Sequence, residues 1–283
     1  MTDDHDESIA LRRRYADYHD AIVDKRFNSP FWVRRYTHRA IHQQIVDKLV
    51  PGESVLDAGC GEGVLSCLAA GAGARVTGVD ISTSNMTAAH ALAESMGVDV
   101  AWAQADAAAL PFADNSFDVV ASSHVLEHLP SVQEGLREIH RVTRGKALIA
   151  MPTCLTPACW ALLGGDNFWR ITKRTPYAIL VGMARTAMAL ARGDEGPNEG
   201  YADQEDMPHV WRFPWIMRRH IESAGFRITR FEAGPIVIPY APQYVPFLRP
   251  VQAALDRARA LPVARNLGYG SLAVCEKIEG FNG

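Results

Sequence analysis

The stretch Val55-Leu56-Asp57-Ala58-Gly59-Cys60-Gly61-Glu62-Gly63 constrains this chain more than any other. A short apolar run, Ser54 to Ala58, ends in alternating glycines and gives way to the helix-like pattern Val64 to Ala70. Glycine has no Cβ, so such a loop can turn sharply from strand to helix and let the backbone approach a bound molecule. The helix that follows starts with N–H groups lacking intrahelical partners, which suits an anionic group. Alone, a G-x-G-x-G loop is a weak signal, because plain tight turns use it and dehydrogenases carry a similar one.

The rhythm after the loop is more specific. The first helix pattern stops at Gly71-Ala72-Gly73, Arg75 to Val79 is β-rich, and a helix pattern runs from Ser82 to Gly97. Val98 to Ala105 and Phe117 to Ser123 are strand candidates. A helix then opens with Ser131 and Glu134 at capping-box spacing and is expected to end at Gly145, before the buried-strand pattern Ala147 to Met151. Strands alternating with helices predict a parallel sheet covered on both faces. Upstream, residues 1–8 read as disordered. Helical patterns rich in Arg and aromatics follow from Ser8 to Val50, broken at Asn28-Ser29-Pro30.

Downstream, Thr153 to Asp206 departs from the rhythm. Trp160, Leu162, Leu163, Phe168 and Trp169 precede the apolar helix pattern Tyr177 to Arg192 and a polar, Gly-containing loop. The core resumes with a helix from Pro214 to Gly225, strand candidates Arg227 to Ala233 and Ser271 to Glu276, and a short helix, Val251 to Leu261, between them. The expected organisation is an N-terminal helical lid (1–50), a cofactor-binding core (51–152), a helical insertion serving as substrate or membrane cap (153–206) and the C-terminal part of the core (207–283).

Composition narrows the function classes. With 283 residues, 48% of them hydrophobic, the chain can bury the core of one domain with an inserted subdomain. A formal net charge of −3 without a basic block argues against nucleic acid as the main substrate. Five cysteines form neither a C-x-x-C pair nor a zinc-type cluster, which suits a reduced cytoplasmic protein. The acidic start, MTDDHDES, argues against a signal peptide, and no apolar run reaches the roughly 20 residues a membrane span needs.

Three aspartates sharpen the site. Asp57 lies at the first strand tip, where a carboxylate attracts an ammonium. Asp80 ends the next strand, where it can accept two ribose hydroxyl hydrogens, and Asp106 follows the third, within reach of an adenine amino group. A single such aspartate is as readily a helix cap or turn residue. Three ending successive strands are not readily coincidental.

With VLDAGCGEG, VTGVDIS, QADAAALPFADNSFDVV and VLEHLP, the chain resembles the class I S-adenosylmethionine-dependent methyltransferases of the type 11 group, over about residues 54–152. The resemblance implies a Rossmann-like, doubly wound α/β fold. Its seven-stranded sheet has an antiparallel last strand, with N-terminal helices and a helical insertion after strand five. It further implies S-adenosylmethionine bound across the strand ends. Asp57, Ala58, Gly59, Cys60 and Gly61 would surround the methionine portion, with Ser123 and His124 beside it. Asp80 and Ile81 would meet the ribose and adenine, and Asp106 and Ala107 the adenine edge. The layout is similar to that of ubiquinone-pathway O-methyltransferases, whose insertion helps them meet a membrane-resident substrate. Those relatives carry Glu-x-x-Glu-His and can bind a divalent metal. Here His124 replaces the first Glu of the trio His124, Glu127 and His128, so no metal is expected.

Methyl transfer from a sulfonium needs alignment and, for a hydroxyl acceptor, a base. His124 is the first candidate base, the alternative being a packing residue at a strand–helix junction; His128 reads as structural. His209 is the second candidate, on a segment where Trp211 is a lid residue. Tyr18 is expected near the methyl and an Arg among Arg34, Arg35 and Arg39 near the methionine carboxylate, unless that helix is simply a solvated one. Trp169, Tyr201 and Trp211 complete the expected acceptor wall. The insertion's apolar surface, with Arg170, Lys173 and Arg174 beside Trp169, is a pocket wall, a membrane contact or a homodimer contact. The function expected is methyl transfer to a small-molecule or lipid-like acceptor, most simply at a hydroxyl oxygen. C- or N-methylation of a natural-product scaffold is the alternative. A non-catalytic S-adenosylmethionine-binding protein and an NAD-linked oxidoreductase remain, although the latter predicts G-x-G-x-x-G and Val64 stands at the third glycine's place.

Overall fold

Val55 and Leu56 are neighbours whose side chains leave opposite faces of one strand, yet both are buried. Val119 and Val120, and Leu148 and Ile149, repeat the pattern. A strand buried on both faces must lie between two helical layers. The computed structural model, which describes residues 2–18, 21, 23–197 and 210–281, shows that arrangement.

Ahead of the sheet come α1 (Thr2–Asp17), a π-helical turn (Val23–Phe27) and α2 (Trp32–Val46). The alternating part comprises β1 (Ser54–Ala58), α3 (Val64–Gly71), β2 (Arg75–Asp80), α4 (Thr83–Met96), β3 (Val100–Gln104), β4 (Phe117–Ser123), α5 (Val132–Val142) and β5 (Thr143–Met151). The insertion carries α6 (Pro157–Leu163) and α7 (Thr175–Arg192). The chain then forms α8 (Pro214–Ser223), β6 (Phe226–Ala233), the short α9 (Ala241–Tyr244), α10 (Arg249–Arg257) and β7 (Ser271–Lys277).

The seven strands pair in the order β3-β2-β1-β4-β5-β7-β6, with β7 antiparallel to both neighbours, as the resemblance implied. Ile41, Ile45, Leu65 and Leu148 pack one face; Leu136, Ile139, Met217 and Ile221 pack the other. The order reverses between β1 and β4, so the connections after these strands diverge and leave a crevice at their C-terminal ends.

Local chemistry fixes several helix ends. The Ser82 and Ser131 hydroxyls accept from the amides of Asn85 and Glu134, and Gly97 closes α4 in the left-handed conformation. Two expectations are corrected. Residues 2–8, expected to be disordered, are helical, because α1 begins at Thr2. Gly145 does not end α5: the helix stops at Val142, where the extended Thr143 donates its hydroxyl to Ile139, and Gly145 lies inside β5.

The insertion has its own small core, in which Leu163, Phe168, Trp211, Phe213 and Tyr240 are buried together with Val33 of α2. Its two helices touch through glycine: a Cβ at Gly164 would lie 1.9 Å from the Ala178 carbonyl oxygen, and one at Gly182 would lie 2.0 Å from that of Trp160. This contact seats the insertion over the crevice.

Candidate active site

Asp57 at the tip of β1 is 2% exposed, and its Oδ2 accepts from Ser66 Oγ at 2.6 Å. Burial pushes the carboxyl up to about 7; the Ser66 hydroxyl opposes that shift and the neighbouring Asp80 charge adds to it. In the loop that follows, Gly59, Gly61 and Gly63 all have positive φ. A Cβ at Gly59 would overlap the Val125 side chain at 2.4 Å, and one at Gly63 would meet Trp102 at 2.7 Å. The amides of Gly59 and Cys60 both donate to the Val79 carbonyl, and that of Gly61 donates to Asp80 Oδ2 at 2.9 Å. The glycines therefore let Val125 and Trp102 pack against the loop, whose own amides are used within the protein, and Gly59 and Gly61 line the cavity.

Asp80 at the end of β2 accepts from the Ser82 amide with its other oxygen, at 2.9 Å, and burial raises its carboxyl above the ordinary range against those two amides. Asp106 caps the Ala108 amide at 2.8 Å and meets Arg12 Nε of α1 at 3.0 Å. Helix α1 thus crosses the crevice, and Ser82 Oγ also donates to the Tyr18 carbonyl at 2.5 Å. Ile81, Ala107 and Tyr18 line the same cavity.

The cavity continues past β4. His124 follows Ser123 with φ +57°, a conformation uncommon for a residue with a Cβ, while its amide donates to Ala150 at 2.9 Å. Its Nδ1 lies 3.3 Å from Oε1 of the buried Glu127, and its ring stacks on Tyr269 with centroids 6.4 Å apart. Trp169 lines the far wall, with the Arg34 guanidinium 4.1 Å above its ring, and Trp211 packs edge-on to Tyr269. Trp169 is partly buried at the cavity wall, which fits the pocket-wall alternative for this residue.

The structure thus brings Asp57, Gly59, Cys60, Gly61, Asp80, Ile81, Asp106, Ala107, Ser123, His124, Tyr18, Trp169 and Trp211 to one cavity. Tyr201 and His209 lie outside the described residues. Of the arginines singled out on α2, only Arg34 lines the cavity; Arg35 donates to the Ser29 carbonyl and Arg39 to that of Phe27.

Sequence reading missed His38, His42 and Tyr269. Both histidines line the cavity from α2, and burial lowers both imidazoles, that of His42 to about 4. Their spacing from Arg34 at positions 34, 38 and 42 places all three on one helix face, which was a readable signal. Tyr269 sits between Gly268 and Gly270 in a loop without periodicity, and only the fold brings it to His124. Among the described residues no group of three His, Cys, Asp or Glu is arranged to hold a metal ion.

A family profile described as a methyltransferase domain matches residues 56–151. The chain is 36% identical over 128 residues to a probable S-adenosylmethionine-dependent methyltransferase of Mycolicibacterium smegmatis, covering 44% of this chain and 47% of that protein. It is 33% identical over 131 residues to a ubiquinone biosynthesis O-methyltransferase of Pseudomonas entomophila, covering 46% and 49%. The chain thus spans about half the length of these curated relatives. Its fold matches the crystal structure of a SAM-dependent methyltransferase from Methanosarcina mazei with a TM-score of 0.55 at 17% identity, over 83% of this chain and 97% of that one. The segment running from Leu56 in β1 to Met151 in β5, with the crevice at its strand ends, matches the methyltransferase-domain profile and is similar to S-adenosylmethionine-dependent methyltransferases.

Proposed function

We propose that the protein transfers the methyl group of S-adenosylmethionine to a hydroxyl oxygen of a small-molecule or lipid-like acceptor, with His124 as the base. The observation that carries this reading is that His124, held on a left-handed backbone, shares one cavity with the buried carboxylate Asp57 and the half-buried Asp80.

The residues fit the cofactor. Gly59, Cys60 and Gly61 line the cavity where its chain would lie, and Asp57 offers a buried carboxylate to its ammonium. Asp80 is placed for the ribose hydroxyls, beside Ile81, and Asp106 with Ala107 for the adenine edge. Ala58, Cys60 and Ser123 flank the methionine portion, and Tyr18 covers it. When bound, S-adenosylmethionine supplies a methyl carbon already activated by its sulfonium. His124 would take the proton of the acceptor hydroxyl as its oxygen receives the methyl group. Trp169, Trp211 and Tyr269 wall an aromatic chamber for the acceptor and exclude water. Tyr201 as an acceptor-binding residue and His209 as the competing base belong to the same proposal. The Pseudomonas relative is named an O-methyltransferase, which supports oxygen as the acceptor atom; C- or N-methylation is the competing chemistry.

Calorimetric titration tests the cofactor site. S-adenosylhomocysteine should bind the wild type, and Asp80→Ala should bind it at least ~10-fold more weakly, because a charged acceptor of two hydrogen bonds is lost. Unchanged affinity in that variant removes the assignment, and NADH binding in its place restores the oxidoreductase.

A further inference from the structure

The proposed transfer leaves two cavity histidines unused. His38 and His42 stand one turn apart on α2 and line the cavity with Phe27, whose ring lies 6.3 and 5.3 Å from theirs. Tyr269 links this wall to His124: its ring lies 6.3 Å from that of His38 and 6.4 Å from that of His124. The His42 ring turns back on its own helix, with Nδ1 2.7 Å from the His38 carbonyl oxygen. Among the described residues, no group forms a hydrogen bond with His42 Nε2.

We infer that His42 selects the acceptor: its Nε2 lone pair receives a hydrogen bond from an uncharged O–H or N–H group of that molecule, distinct from the group methylated at His124. A carbonyl oxygen has lone pairs and no hydrogen, so the hydrogen of the 2.7 Å bond belongs to Nδ1. The ring is neutral, because burial lowers it to about 4; the bond to the His38 carbonyl opposes that shift, and His124 and Arg26 add to it. A neutral imidazole with its hydrogen on Nδ1 leaves Nε2 bare. Since Nδ1 faces the backbone, the distal edge that carries Nε2 is the part of the ring left to line the cavity. That nitrogen suits one kind of partner. A carboxylate or phosphate would set lone pairs against it, and a cation would meet Arg26 and Arg34, which line the same cavity. A neutral donor satisfies it, whereas an analogue without that donor leaves a desolvated nitrogen unpaired, a loss that discriminates strongly between substrates. The Phe27 and Tyr269 rings beside these histidines suit a flat, aromatic body around the donor.

This inference rests on the methyltransferase reading for the identity of the ligand, and its test separates the two. Nitrogen-15 spectra of the full-length protein, with the His42 ring assigned by His42→Gln, are recorded at neutral pH with and without S-adenosylhomocysteine. The expected result is a protonated Nδ1 and a bare Nε2. Phenol, a flat neutral donor, should shift the Nε2 resonance to saturation, whereas anisole, which lacks the hydrogen, and benzoate should leave it in place. His42→Leu should weaken phenol binding about tenfold, and His42→Gln, whose amide oxygen still accepts, should retain most of it. With an acceptor in hand, His42→Leu should raise acceptor KM about tenfold at nearly unchanged kcat and S-adenosylhomocysteine affinity. A bare Nδ1 in the wild type overturns the inference even if neither variant folds. So does an Nε2 resonance that phenol leaves in place or that anisole moves equally. A shift produced by S-adenosylhomocysteine alone, after which phenol has no effect, would give the nitrogen to the cofactor and overturn it as well. Failure of the wild type to bind S-adenosylhomocysteine would instead defeat the methyltransferase reading, while the phenol response still decides the role of His42.

Discussion

Asp57 sits where a negative charge is hard to keep, buried beside Asp80 with the hydroxyl and backbone of Ser66 for support. Its carboxyl is pushed up to about 7, so the folded protein holds a proton that the unfolded chain releases above the ordinary carboxylate range. The stability this provides is complete at low pH, below about 4, and is lost as pH rises through about 7. The unliganded wild type should therefore lose melting temperature between mildly acidic and mildly alkaline buffer by more than Asp57→Asn does. An ammonium arriving beside Asp57 should expel that proton. Titration of the cofactor near neutral pH should then show a heat that depends on the buffer's ionisation enthalpy, and Asp57→Asn should abolish the dependence. At His124 the expectation is kinetic: His124→Ala should cut turnover by ~10²–10⁴ while leaving cofactor affinity nearly unchanged, since the ring acts on the acceptor. Single-turnover rates beside calorimetry check both halves. Asp57, Asp80, Asp106 and His124 were legible because each follows a strand, and strand ends can be read from local pattern. Tyr269 was not, because it reaches the cavity from the loop before β7 by packing alone, whereas His38 and His42 share a readable helix face with Arg34 whose target only the fold reveals.

Elements were legible where a period and a stop signal agreed. The expected strand Phe117 to Ser123 matches β4, and Ser131 caps α5 as its spacing predicts. Gly145 misled because glycine is both a helix terminator and a tolerated strand residue, and nothing local distinguishes the two roles. The glycines between α6 and α7 carried no sequence signal, since only the crossing of the helices gives them meaning. Gly182→Ala places a methyl group against the Trp160 carbonyl, and overpacking of this kind costs about 1–3 kcal/mol. Thermal unfolding of Gly182→Ala should show a melting temperature several degrees lower. S-adenosylhomocysteine affinity should hold, because the cofactor half of the cavity is built on β1, β2 and β3. Equal losses of stability and affinity would mean that the insertion props the cofactor loop directly.

Taken whole, the molecule leaves one long face bare. Along α7, Tyr177 (70%) and Leu180 (64%) are exposed, with Met183, Met188 and Leu190 beyond them, and the helix contains no Asp or Glu. Exposed Arg170, Lys173 and Arg174 lie before its start and Arg192 at its end. Among the described residues no helix is long and apolar enough to cross a membrane. Such a face instead fits peripheral contact with anionic lipid, which we propose for it in place of a contact between copies. Co-sedimentation with vesicles should require anionic lipid and should fall on Leu180→Glu or Lys173→Glu. A dimer dissociated by Leu180→Glu, with no lipid binding, would assign the face to a second copy.

Helix α1 lies across the cofactor half of the cavity, fastened by Arg12 on Asp106 and by the Tyr18 carbonyl on Ser82. The amino group expected at Asp106 competes with Arg12 for the same carboxylate, so arrival and departure both require this strap to yield. Residence time then belongs to the strap as well as to the contacts beneath it. An ion pair that is partly exposed to water is screened by salt. Stopped-flow release of S-adenosylhomocysteine should accelerate with ionic strength in the wild type and lose that dependence in Arg12→Ala, so the N-terminal helix sets how long spent cofactor delays the next cycle.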